Sequence, residues 1–77
     1  MNVTWQPSKT WRGEARSQLP DSAFAFPKER KEPLTDAVHV RDAVVRFNQV
    51  DGANVREREQ AWANIRAAAK YYGIATD

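Results

Sequence analysis

The chain has 77 residues, with 12 basic and 10 acidic side chains, no cysteine and one histidine. This length allows one small domain, near the lower limit of what folds alone. Disulfides and thiolate metal sites are excluded, and one histidine without a carboxylate cluster predicts neither a metal site nor a cofactor. No segment approaches the roughly 20 apolar residues of a membrane-spanning helix, and the first residues lack the pattern of a signal peptide. We therefore expect a cytoplasmic protein.

Residues 1–17 form a polar N-terminal segment that we expect to be partly ordered or frayed, ahead of a small helical domain over residues 18–77. Thr10 is a suitable N-cap and predicts a short helical turn. Trp5 and Trp11 have few apolar neighbours within this segment. Either the two rings pack on the domain or they are exposed, and exposed tryptophans are typical contacts for a partner protein. Both are therefore candidate partner contacts.

Residues 18–35 contain three prolines, which exclude a continuous helix. Phe24 and Phe26 recur with the period of an extended segment. The best pairing partner is the stretch over residues 31–34, but Pro33 has no amide hydrogen to donate. We therefore expect an extended loop packed by aromatic rings, with at most a two-residue bridge.

The first helix is predicted over residues 36–49. Thr35 or Asp36 can cap its start, because the side-chain oxygen accepts from an otherwise unpaired amide. Asp51 and Gly52 should end it, since glycine tolerates a left-handed backbone. Apolar residues recur along it at intervals of three and four, which is typical of one buried helix face.

The second helix is predicted over residues 55–72. Asn54 and Glu57 have the spacing of a capping box, and Gly73 occupies the usual stop position. The predicted core face consists of Ala61, Trp62, Ile65, Ala68, Ala69 and Tyr72.

Two helices joined by about five residues should pack antiparallel. The predicted fold is thus a mainly α, small single domain, in which an antiparallel two-helix hairpin is closed by the extended aromatic and proline loop of residues 18–35.

Three motifs stand out along residues 18–41. They are Leu-Pro-Asp-Ser-Ala-Phe-Ala-Phe-Pro at 19–27, Pro-Leu-Thr-Asp-Ala at 33–37 and His-Val-Arg at 39–41. With these motifs the chain resembles a family of small uncharacterised domains that recur in bacteria and in tailed phages. The resemblance covers residues 18–74 and implies a compact helical domain, sometimes appended to phage head or head-maturation proteins, and it implies no activity. The chain departs from the family pattern at Glu32, where an aromatic residue is usual, and at Asp42, which replaces an asparagine.

Catalytic machinery is not evident in the sequence. A role for His39 as general base or pH sensor competes with a structural role, in which its ring caps the first helix or bonds the aromatic loop. No serine or cysteine lies at a nucleophile spacing from it, and the three glycines form no phosphate-binding loop. We expect no enzymatic activity and no catalytic residue.

The leading expectation is a non-enzymatic protein-interaction or accessory module with an unknown protein partner. The alternative is weak, sequence-tolerant nucleic-acid binding through a basic helical face. The candidate contacts for nucleic acid are Lys28, Arg30, Lys31, Arg66 and Lys70.

Overall fold

A computed structural model describes residues 3–7 and 16–76, with only the backbone of Arg16 included. Two strands precede two α-helices, and three short 3-10 turns lie between and before them. The elements are β1 (Phe24–Phe26), β2 (Lys31–Pro33), α1 (Ala37–Arg46) and α2 (Val55–Tyr72), with 3-10 turns at Arg16–Gln18, Asp21–Ala23 and Phe47–Gln49.

The predicted architecture, a two-helix hairpin closed by an extended loop, is wrong because β1 and β2 form an antiparallel sheet. Phe24 pairs with Pro33, and Phe26 pairs with Lys31. The sequence interpretation gave Pro33 too much weight as a limit on pairing. The ladder continues beyond it, since the amide of the next residue, Leu34, donates to the Ala23 carbonyl at 2.8 Å.

The predicted helix caps are confirmed. The Asp36 carboxylate accepts from the His39 amide at 2.8 Å, and Asn54 forms a reciprocal capping box with Glu57. At the end of α2, Gly73 has a φ of 71°, which favours glycine. The following amide, of Ile74, donates back to the Ala69 carbonyl at 2.8 Å, as in a Schellman motif.

The first helix ends earlier than predicted. Regular α-helix stops at Arg46, and a 3-10 turn carries the chain to Gln49. Val50 is extended and buried, so the chain leaves the helix before the predicted stop at Asp51 and Gly52. Gly52 still adopts the positive φ of 84° that favours glycine, but it does so in the loop that follows the helix.

The core lies where α2 packs against both β1 and α1, while α1 also packs against β2. Its largest fully buried side chains are Phe24, Phe26, Leu34, Ile65, Val40 and Asn64. A smaller cluster joins Phe24 to Leu19 and Ala23 beside the sheet. Trp62, which was expected on the core face, is only half-buried.

The first described residues belong to the packed structure. Trp5 is 5 % exposed, and its indole nitrogen donates to the Leu34 carbonyl at 3.0 Å. The Gln6 amide donates to the Ser22 carbonyl at 3.1 Å. The predicted turn at Thr10 and the predicted contact residue Trp11 lie outside the described residues.

Asn64 joins this N-terminal strand-like segment to the sheet and to α2. Its side-chain oxygen accepts from the amides of Thr4 at 2.8 Å and Trp5 at 3.0 Å. Its side-chain nitrogen donates to the Thr4 hydroxyl at 2.9 Å and to the Ala25 carbonyl at 3.0 Å. The side chain is fully buried, and all of its hydrogen-bonding capacity is used.

Replacement of Asn64 by leucine should therefore destabilise the domain strongly. It leaves the buried Trp5 amide and the buried Ala25 carbonyl without partners, at about 1–3 kcal/mol for each group. We expect a loss of at least about 2 kcal/mol, which lowers the melting temperature by roughly 8 °C or more. Thermal denaturation followed by circular dichroism measures this.

The matched control is Asn48→Leu, because Asn48 is exposed. This variant should stay within about 0.5 kcal/mol of the wild type. Equal melting temperatures for Asn64→Leu and Asn48→Leu would contradict the structural role of Asn64.

Candidate functional site

An open groove of about 630 Å³ lies between α1 and α2. Aromatic rings form its floor, with the Phe47 and Trp62 centroids 5.1 Å apart. Phe26 supports Phe47 from the core side at 6.0 Å. The residues that line the groove are Val44, Phe47, Asn48, Val55, Arg58, Glu59, Trp62, Ala63 and Arg66.

Arg58 fixes the shape of this groove. Its guanidinium donates to the Phe47 carbonyl at 3.2 Å and to the Val50 carbonyl at 2.6 Å. These carbonyls stand at the end of the first helical region, where no further helical amide is available to them. Arg58 thus ties α2 to the end of α1 and holds the Phe47 ring beside Trp62.

The outer edge of the groove carries one charge of each sign. Glu59 and Arg66 are both exposed, and within the described residues neither side chain has an ion-pair or hydrogen-bond partner. Val55, in the first turn of α2, is 72 % exposed at the end of the groove. An apolar floor with an unpaired acidic group and an unpaired basic group suits contact with an amphipathic segment.

Three of the five candidate nucleic-acid contacts have partners within the chain. Lys28 lies 3.8 Å from the Glu57 carboxylate, and Lys31 donates to the Asp51 carbonyl at 3.2 Å. Arg30 pairs with the carboxylate of Asp21, donates to the Leu19 carbonyl at 2.8 Å and lies over the Phe24 ring at 4.7 Å. All three cations therefore have contacts within the chain, although the Lys28 side chain is 84 % exposed.

The structure does not bring the five cations onto one face. Lys28 sits beside Glu57 in the first turn of α2. Arg66 lies nine residues beyond Glu57, which at about 100° per residue places it on the opposite side of the helix. Lys70 follows one turn later, and it lines a second surface hollow together with Arg66. Arg66 and Lys70 are therefore neighbours, while Lys28 is remote from both.

The surroundings of Lys28 are also acidic. A hydrogen bond to Glu57 raises the pKa of the Glu29 carboxyl. The bond from the Asn54 amide, followed by the contact with Glu29, lowers the pKa of Glu57. The carboxyl groups of Glu29 and Glu57 both lie close to Lys28 and offset its positive charge, so this corner is a poor place for a phosphate.

His39 is bonded to the cap of α1. Its Nδ1 lies 2.8 Å from the Asp36 carboxylate, which also accepts from the backbone amide of His39. Both side chains are largely exposed. Burial raises the pKa of Asp36, but these bonds outweigh it and hold the pKa below its ordinary value. The structural alternative for His39, in which the ring supports the helix start, fits this geometry.

Within residues 3–7 and 16–76, no three side chains of the metal-ligating types His, Cys, Asp and Glu lie together in a metal-binding arrangement. Over the same residues, no helix combines the length and apolar character needed to cross a membrane.

Sequence reasoning missed the groove because it assigned Trp62 entirely to the core. It also left Arg58 without a role and placed Trp5 among candidate partner contacts, whereas the Trp5 ring is buried. A usable signal was the spacing of Val55, Glu59, Trp62 and Arg66, which recur at intervals of four and three on one side of α2.

These features define a small, helix-rich domain with a short antiparallel sheet and an apolar surface groove. The chain belongs to DUF6582, a family of unknown function, whose model matches residues 8–77. The predicted membership of a family of uncharacterised domains is confirmed at that level. No curated protein and no solved structure shows significant similarity to the chain.

The Asp36 cap predicts a specific loss of stability in acid. Because the folded state lowers the pKa of this carboxyl, its contribution is present above the pKa of the unfolded chain. It disappears as the pH falls through the lowered folded value. Asp36→Asn removes this titration but keeps a capping oxygen. The wild type should therefore lose more of its melting temperature than the variant between about pH 5 and pH 2.

Thermal melts of both proteins across this pH range provide the measurement. The matched control is Asp42→Asn, at an exposed aspartate within the same helix, and its curve should run parallel to that of the wild type. Parallel curves for Asp36→Asn and the wild type would show that the cap does not contribute in this way.

Proposed function

We propose that this domain is a non-enzymatic protein-interaction module that binds an amphipathic helix in the groove between α1 and α2. The observation that carries the proposal is the pair of neighbouring aromatic rings, Phe47 and Trp62, on the floor of an open groove. Aromatic side chains give large contact area at low entropic cost, and they dominate protein interfaces.

The composition of the groove indicates the chemistry of its partner. The lining is mostly apolar, with Val44, Val55 and Ala63 beside the two rings. Such grooves take helices whose apolar residues recur at i, i+3 or i+4, and i+7. Glu59 and Arg66 on the edge favour a helix that carries both a basic and an acidic residue beside its apolar stripe.

The setting of the module is proposed from the sequence resemblance alone. The motifs of residues 18–41 are similar to those of small bacterial and phage domains, some of them appended to head or head-maturation proteins. We therefore place the module in the bacterial cytoplasm as an accessory protein, with a protein partner.

An exposed apolar side chain at the end of the groove offers a direct test. Val55→Asp places a carboxylate in the first helical turn, where the helix dipole favours it, so the fold should persist. The probe is a synthetic 18-residue helical peptide with leucines at i, i+4, i+7 and i+11 and both charge types beside them. We expect this peptide to shift the amide resonances of Val44, Asn48 and Ala63. Val55→Asp should weaken its binding by about tenfold, since one buried valine contributes roughly that much.

Val38→Asp is the matched control, because Val38 is also an exposed valine in the first turn of a helix, at 61 % exposure, but does not line the groove. It should bind the peptide like the wild type. A scrambled peptide of the same composition should leave the resonances unchanged. Equal shifts from both peptides, or equal weakening by both aspartate variants, would contradict the proposal.

Nucleic-acid binding remains the alternative, and it now depends on Arg66 and Lys70. They are exposed neighbours on α2, whereas the other three candidates have partners within the chain. Two phosphate contacts supply little affinity at physiological salt, because each contributes mainly through the release of one counterion.

Titration of labelled single-stranded DNA and RNA at low and physiological salt tests this alternative. Binding through two phosphates would weaken only modestly with salt and would be abolished by replacing both Arg66 and Lys70 with glutamine. Binding that survives this double replacement would exclude these residues as the contact, and no binding at low salt would remove the alternative.

A further inference from the structure

We propose that the helix bound in the groove is α2 of a second copy of this chain, so that the domain forms a symmetric dimer with the two α2 helices antiparallel. The inference rests on the proposed function, since it names the partner that the same groove receives. It follows from how charge and size are distributed about the midpoint between Trp62 and Ala63.

Two side chains of opposite charge lie at equal distances along the sequence from this midpoint. Glu59 stands three residues before Trp62, and Arg66 stands three residues after Ala63. Seven residues separate the two charges, which amounts to nearly two full turns, so both project from one side of α2. A two-fold axis through the midpoint sets Glu59 of each copy opposite Arg66 of the other.

The sizes of the facing side chains are also complementary across this two-fold axis. Trp62 of one copy faces Ala63 of the other, so the largest side chain on this side of the helix meets one of the smallest. The Phe47 ring packs against Trp62 in a tilted contact, with the planes 55° apart, and Trp62 is only half-buried, which leaves part of the indole for the second copy. Isologous interfaces require this kind of self-complementarity, in which residue i contacts j and j contacts i.

Glu59 and Arg66 lack partners within one copy, and this also supports a second copy of the chain as the occupant of the groove. Within the described residues, Glu59 and Arg66 make no ion pair or side-chain hydrogen bond inside one copy. In the antiparallel dimer each gains the opposite charge, twice per dimer. One exposed face of a single helix supplies the contact, so we expect the dimer to belong to the weak class of interfaces.

Charge reversal provides the test, with the molar mass followed by sedimentation velocity from about 1 μM to about 1 mM, the range of weak interfaces. Glu59→Arg sets two arginines against each other at both ends of the contact, and Arg66→Glu does the same with two glutamates. Each single variant should dissociate at least about tenfold more readily than the wild type. The double variant Glu59→Arg/Arg66→Glu should recover wild-type association.

Mixing the two single variants gives the sharpest result. An equimolar mixture should form a heterodimer, because both positions then carry opposite charges across the axis. Arg46→Glu, which reverses an exposed cation outside the groove, is the control and should associate like the wild type. Circular dichroism confirms that every variant is folded.

The outcomes separate this inference from the proposed function. A monomer at every concentration, or single variants that associate like the wild type, overturns the dimer. If the leucine-striped peptide still binds in the groove in that case, the interaction module stands and its partner is another protein. A dimer that neither the double variant nor the mixture restores uses a different surface, and this also overturns the proposal.

Discussion

The buried amide of Asn64 is the interaction on which the rest of this small structure depends. It binds two consecutive amides of the N-terminal segment and one carbonyl of β1, while its own backbone belongs to α2. Three parts of the chain that are far apart in sequence thus meet at one side chain. A polar group pays a desolvation penalty in a core, and here complete hydrogen bonding offsets it.

The position of Asn64 decides what covers the core. Once Thr4 and Trp5 are bound to it, the Trp5 indole reaches the Leu34 carbonyl and packs edge-on against Tyr72. The Trp5 ring of this polar segment therefore completes a core that two helices and two short strands could not close. For a chain of this length, each additional buried aromatic residue is a large share of the stability.

Local signals in the sequence were sufficient for both helix starts and for the end of α2, and insufficient for the end of α1 and for the sheet. The roles of these helix-end residues can be predicted from spacing, because the hydrogen bonds at each helix end join residues three to five positions apart. The residues are Asp36, Asn54 and Gly73. The pairing of Phe24–Phe26 with Lys31–Pro33 depends on which backbone groups face each other across a turn. A missing amide at Pro33 has no effect on the bond that Leu34 makes, and spacing alone does not contain that information.

The groove lies beside Trp62, on a part of α2 that the sequence analysis assigned to the core. That analysis placed the centre of the buried face of α2 too close to Trp62. The side of α2 that faces the core contains Ala61, Asn64, Ile65 and Ala68, and a stripe built from apolar residues alone omits the asparagine. Leaving it out moves the apparent centre of the stripe toward Trp62. With Asn64 restored to the stripe, Trp62 falls at its edge, about 100° from Ala61.

A tryptophan at the edge of the buried face of a helix is covered by the core on one side only. The rest of its ring is exposed unless another residue packs against it. Phe47 supplies one side, because Arg58 holds the end of the first helical region in place. The other side is open, and it is flanked by the charges of Glu59, three residues before Trp62, and Arg66, four residues after it. The helical spacing that places Asn64 in the core thus also leaves Trp62 half-buried on the outer side of α2.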